Sequence, residues 1–143
     1  LMNQKEEFDK ENVFGLGKEN VDFAKYFIGK SYLNPLTNPK ETVLLANVTF
    51  EPACRNNWHI HHATKGGGQI LICTAGYGWY QEEGKEAVSL ASGMVITIPA
   101  NIKHWHGAKK DSYFSHIAIE VPGENTSNEW CEQVTDEEYD KLN

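Results

Sequence analysis

Two histidine pairs, His59-x-His61 and His104-x-His106, limit what this chain can become more than any other feature. Side chains two apart share a face when the backbone is extended. Each pair therefore aims both rings at one point from a strand, and two such strands can gather four imidazoles. Neutral imidazole is the commonest ligand for divalent metals, and a site needs three or four converging donors. All six histidines (His59, His61, His62, His104, His106 and His116) fall between positions 59 and 116. The pattern predicts a metal site held by strands, with the rest of the chain as scaffold.

The strands read as β-forming runs between turn residues. Residues 1 to 20, rich in Asn, Lys and Glu, lack a sustained apolar period and read as a loosely held tail with room for a short helical turn. Val21 to Leu33 reads as an opening strand, followed by a loop with Pro35 and Pro39. Further strands are expected over Thr42–Phe50, Asn57–His61, Gln69–Thr74, Gly78–Gln81, Ala87–Leu90, Met94–Ile98 and Tyr113–Val121. The mostly apolar run Gln69–Thr74 suits a strand buried on both faces. Ala75-Gly76, Glu83-Gly84-Lys85 and Ser92-Gly93 supply turns, and Thr135-x-x-Glu138 has capping-box spacing for a short helix reaching Leu142. Many short strands with almost no helix indicate one all-β antiparallel sandwich or barrel, spanning residues 21–143.

At 143 residues the chain suits a single domain that buries roughly 68% of its unfolded surface. A net charge of −7 disfavours nucleic acid and anionic membrane surfaces as partners. No apolar run approaches the roughly 18 residues of a membrane span. Cys54, Cys73 and Cys131 are too scattered for a disulfide framework and form no C-x-x-C pair, so they read as cytoplasmic thiols. Cys54 is read as core-facing, with a cavity position as the alternative.

Residues 53 to 108 carry two spaced motifs. In the first, Ala53 is followed by five residues, His59-Ile60-His61, then Gln69, six residues and Gly76. In the second, Gly93 is followed by five residues, Pro99, Asn101, His104 and Ala108. The pattern resembles the cupins, and the resemblance implies a jelly-roll barrel whose two motifs (53–76 and 93–108) line a metal cavity. Two departures stand out. Gln69 takes the place of the usual glutamate ligand, and seven residues separate it from His61, including Lys65-Gly66-Gly67-Gly68, read as a loop insertion. Three imidazoles and an amide carry no charge, so a bound divalent ion would keep its full charge and act as a stronger Lewis acid. A two-histidine, one-carboxylate oxygenase site is thereby disfavoured.

The run Trp58-His59-x-His61 to Gly68-Gln69-x-Leu71, with Lys103-His104-Trp105-His106-Gly107-Ala108, His116-x-Ala118-Ile119-Glu120 and the Asn128-Glu129-Trp130 tail, is similar to a subgroup of small bacterial cupins. That subgroup includes manganese-dependent hydroxynitrile lyases and carboxymuconolactone-decarboxylase-associated cupins. The resemblance implies that His59, His61, Gln69 and His104 hold a divalent ion, with manganese first and iron, zinc or nickel as alternatives. It implies that His106 and His116 face the cavity and move protons. The position three before the first histidine, often Thr in the lyases, is Asn56. The activity implied is lyase, isomerase or decarboxylase-like chemistry on a small hydroxy, keto or carboxylate compound. An Fe(II) oxygenase and a non-catalytic small-ligand binder are the competing readings. A homodimer is expected, with residues around Phe23 to Tyr32 lending an edge strand to the neighbour.

The remaining conspicuous residues take ordinary roles. Trp58 and Trp105 alternate with the ligands and should pack on the opposite face, in a core. Trp79 and Tyr80 read as packing residues, Lys65 as a solvated loop lysine, and His62 as lying outside the site. Arg55 is balanced between a structural ion pair and a clamp for a substrate carboxylate.

Overall fold

Side chains that alternate between buried and open faces build this fold. The computed structural model describes residues 2–142. In chain order these form helix α1 (Gln4–Glu11) and strands β1 (Lys18–Glu19), β2 (Phe27–Ile28), β3 (Ser31–Pro35), β4 (Leu45–Phe50), β5 (Arg55–Asn56), β6 (His59–His62) and β7 (Lys65–Gly66). Next come β8 (Gln69–Glu82), β9 (Val88–Ala91), β10 (Val95–Ile98), β11 (His104–Ala108), β12 (Phe114–Glu120), β13 (Gly123–Glu124), β14 (Ser127–Trp130) and helix α2 (Asp136–Asp140).

All strand pairs are antiparallel. One sheet runs β1-β3-β4-β12-β8-β10. In the other, β11 pairs with β8 on one side and with β6 and β5 on the other, while β9, β14 and β2 extend β8, β6 and β5. This is the jelly-roll barrel expected from the sequence, with a short C-terminal helix.

The long strand β8 belongs to both sheets. Where it crosses over, Ser115 opposes Ala75 but His116 opposes Cys73, so Thr74 is an extra residue that bends the strand. Gly76 follows with φ +69, and a Cβ there would run into the Tyr113 carbonyl oxygen, so glycine alone fits. The turn expected at Ala75-Gly76 is instead this bend inside one continuous strand. Nor is Gln69–Thr74 buried on both faces: Gln69, Leu71 and Cys73 are buried while Ile70, Ile72 and Thr74 are only partly covered.

The N-terminal third also departs from expectation. Residues 1–20 are not a loose tail over their described part. Asn3 caps α1 by accepting from the Glu6 amide, Phe8 is buried against the Tyr113 ring, and the buried Asn12 bonds to Asn47 and Thr49. One phenylalanine in a charged helix leaves no apolar period to read, yet it suffices to dock the helix. Val21 to Leu33 is not a single strand either, because a 3-10 turn (Ala24–Tyr26) and Gly29 at φ +88 divide it.

Two apolar clusters stabilise the barrel. Val48, Phe50, Cys54, Leu71, Cys73, Leu90, Ile98 and Phe114 fill the space between the sheets. Trp58 and Trp105 pack outside it with Val134 and Tyr139, on the face predicted for them. Thr135 caps α2 as its spacing predicts, accepting from the Glu138 amide, and Tyr139 Oη donates to the Ala108 carbonyl at 2.6 Å. No helix among the described residues is long and apolar enough to cross a membrane.

Candidate metal centre

The antiparallel register of β6 and β11 sets His59 directly opposite His104. Their ring centroids lie 4.1 Å apart, and His61 sits 5.2 Å from each. His106, two residues along β11, comes within 5.6 Å of His59. All four are buried. Ring nitrogens of His59, His104 and His106 lie within 4.8 Å of one another, a spacing that could hold an ion.

Each ring of the first three is held by an oxygen outside the cluster. His59 Nδ1 donates to the Asn57 carbonyl at 2.8 Å, His104 Nδ1 to the Ile102 carbonyl at 2.8 Å, and His61 Nδ1 to Asn128 Oδ1 at 2.9 Å. Donation through Nδ1 leaves Nε2 as a bare lone pair aimed inward. The Nε2 atoms of His61 and His104 are buried with no protein partner. Burial pulls His59 well below the usual imidazole range, with His104 adding to the effect, and pulls His104 to about 4. Both are therefore neutral at pH 7. Neutral rings fixed through Nδ1, with orphaned buried lone pairs opposite, fit a divalent ion.

His106 differs. Its Nδ1 faces another histidine, His116 Nε2, at 3.2 Å. Asn56 accepts from the His106 backbone N–H at 2.9 Å and brings its Nδ2 within 3.4 Å of both ring nitrogens. Burial, then the neighbouring His116, holds His106 well below its ordinary range, and burial takes His116 to about 4. The facing nitrogens share one hydrogen bond, and an extra proton taken up by either ring can pass along it to the other.

A cavity of about 350 Å³ opens onto this cluster, lined by His59, His61, Gln69, His106 and His116. The apolar part of its lining is Leu44, Ala46 and Val48 from the β4 side, Ala118 from β12, and Phe23, Phe27 and Trp130. Gln69 enters from β8 and donates through Nε2 to Glu120 Oε1 at 3.3 Å. The Lys65–Gly68 insertion forms a two-stranded ribbon, with β7 pairing to β13, that returns β8 in register beside β12. A larger hollow of about 740 Å³ lies against α1, lined by Phe8, Pro52, Tyr77 and Tyr113, and contains no histidine.

Sequence reasoning missed Asn56 as the His106 anchor, and Asn128, Glu120 and Trp130 as lining residues. Glu120 shares the parity of His116 and Ala118 on β12, which is the signal that could have found it. Asn128 and Trp130 lie on β14, a polar strand with no apolar alternation. Arg55 is no substrate clamp. It donates to the Val134 carbonyl at 3.1 and 2.8 Å and to Asp136 at 2.7 Å, with its guanidinium over the Tyr139 ring. Cys54 is core, its thiol pushed up to about 12 by burial. His62 pairs with Glu129 at 2.7 Å, and neither it nor the exposed Lys65 lines the cavity.

No protein-family model matches the chain. Over 118 residues it is 39% identical to (R)-mandelonitrile lyase of Granulicella tundricola, covering 81% of this chain and 87% of that protein. A crystal structure of a cupin-like protein from Thermotoga maritima superposes with TM-score 0.78 at 37% identity, covering 90% of this chain and 95% of the other. A cupin 2 conserved barrel domain protein from Rhodopseudomonas palustris has the same fold at 14% identity (TM-score 0.64; 90% and 83% covered). The chain belongs to the cupins, as one of the small bacterial members with a single barrel.

Proposed function

We propose that this protein is a metal-dependent lyase that splits a small α-hydroxynitrile into a carbonyl compound and hydrogen cyanide. The observation that carries this reading is the difference between the two sets of histidines. His59, His61 and His104 are each anchored through Nδ1 to an oxygen, the arrangement typical of metal-ligating imidazoles. On His106 the Nδ1 atom faces His116 Nε2 instead of an oxygen. His59, His61 and His104 would hold the ion, with Gln69 as fourth donor and manganese as the first choice of metal. Bound there, a divalent ion supplies Lewis-acid stabilisation of negative charge on substrate oxygen or nitrogen.

The chain's own groups do the rest. His106 accepts the hydroxyl proton as the C–C bond breaks and its electron pair leaves with the nitrile carbon. The hydroxyl oxygen becomes the carbonyl, and the same proton returns from the His106–His116 pair to cyanide, which departs as hydrogen cyanide. The lowered basicity of this buried pair makes its protonated form a strong acid, which suits the return step. Phe27, Val48 and Trp130 shield the reacting centre from water. The 39% identity to a mandelonitrile lyase supports the reaction class.

The test is benzaldehyde release from racemic mandelonitrile, followed by ultraviolet absorbance, with protein loaded in turn with manganese, iron and zinc. Turnover by loaded wild type, lost at least a hundredfold in His106→Ala with metal content retained, is the expected result. Absence of turnover with every metal, or full activity in His106→Ala, contradicts the proposal. Oxygen uptake with the iron form alone would point to the oxygenase reading.

A further inference from the structure

The antiparallel register of β8 and β12 sets Glu120 directly opposite Gln69. The glycine-rich connection before β8 holds that register. Gly68 adopts φ +88, where a Cβ would strike the Ile98 carbonyl oxygen, and its own carbonyl accepts from the Val121 N–H at 3.1 Å. Gln69 Nε2 then donates to Glu120 Oε1 at 3.3 Å, and no ion pair among the described residues draws Glu120 elsewhere. An amide can present either its nitrogen or its oxygen, but a carboxylate only accepts. Glu120 therefore takes the nitrogen, and the Gln69 oxygen is left to the cavity lining that Gln69 shares with His59 and His61.

We infer that Glu120 is a positioning residue for the metal centre, one that fixes the Gln69 amide with its oxygen toward the ion. The inference rests on the proposed function, which makes Gln69 the fourth donor. An unrestrained amide can turn its N–H groups to the cavity, where a cation repels them. The bond to Glu120 removes that choice. Because the acceptor is charged, the bond also draws electron density from the amide nitrogen toward its oxygen and strengthens the donor. The carboxylate thus stands one residue back from the ion, supporting a neutral donor instead of bonding the metal itself. The groups in contact with the ion stay neutral, which preserves its strength as a Lewis acid.

The test measures manganese(II) affinity by chelator competition on metal-stripped protein, with circular dichroism checking the fold of each variant. Glu120→Ala and Glu120→Met, which offer Gln69 no oxygen, are each expected to bind at least tenfold more weakly than wild type. Glu120→Gln, whose carbonyl can still accept from Gln69, is expected to stay within about threefold of wild type. Gln69→Ala weakens binding by itself, and adding Glu120→Met to it should change affinity by no more than about twofold, because Glu120 acts through the amide. The visible spectrum of the cobalt(II) form is expected to change in Glu120→Met and to keep its wild-type shape in Glu120→Gln. Wild-type affinity or an unchanged cobalt spectrum in Glu120→Met overturns this inference alone. So does a loss in Glu120→Gln as large as in Glu120→Met, or an equal loss with and without Gln69. Wild-type affinity in Gln69→Ala overturns it together with the fourth donor. A wild-type chain that takes up no divalent ion overturns the proposed function as well.

Discussion

Acidification should destabilise the metal-free protein long before its carboxylates titrate. His104 and His116 are both taken by burial to about 4 in the folded chain, against about 6.5 in an unfolded one. Their folded forms are neutral, so their contribution to stability is complete above pH 6.5. It is lost as pH falls from 6.5 toward 4, because the unfolded chain takes up protons that the folded chain cannot. At pH 5 each site has cost about 2 kcal/mol. The two together remove about 4 kcal/mol from a total of order 5–15 kcal/mol. His59 and His106, both held well below their ordinary range, act in the same direction. With a urea m-value of about 2 kcal/mol/M, the unfolding midpoint of chelator-treated protein should drop by about 2 M or more between pH 7 and pH 5. Tryptophan fluorescence follows the transition. A midpoint that moves by less than about 0.3 M would refute the claim that these imidazoles are buried and neutral.

Other substitutions test other parts of the structure. Arg55→Ala removes the donors to Val134 and Asp136 and the cation over Tyr139. It should cost about 3 kcal/mol in chemical denaturation and make the chain after Trp130 the first site of proteolysis. Gly76→Ala places a Cβ against the Tyr113 carbonyl in left-handed backbone, so a loss of more than about 2 kcal/mol is expected, seen as a lowered Tm. Tyr139→Phe leaves the buried Ala108 carbonyl without its 2.6 Å donor and should cost about 1–2 kcal/mol with metal content unchanged.

The convergence of the histidines was easier to read in the sequence than the walls around them. Two His-x-His pairs need only extended backbone to converge, so His59, His61, His104 and His106 meet as their spacing requires. The aromatic partners Trp58 and Trp105 followed by parity. What stayed hidden depends on long-range register. The bend in β8 looked like a turn because a glycine at positive φ serves either purpose. Arg55 looked equally suited to a ligand or a structural pair until the C-terminal chain crossed over it. Asn128 reached His61 from a strand whose side chains are mostly exposed, so no hydrophobic pattern marked it.

Metal analysis of the purified chain and of its His104→Ala variant bears most directly on the central claim. One divalent ion per wild-type chain, restored after chelation and reduced at least tenfold in affinity in His104→Ala, is the result predicted for nitrogens left unpaired in a buried cluster. A wild-type chain that neither carries nor takes up a divalent ion, or a variant that binds as tightly as wild type, would contradict it.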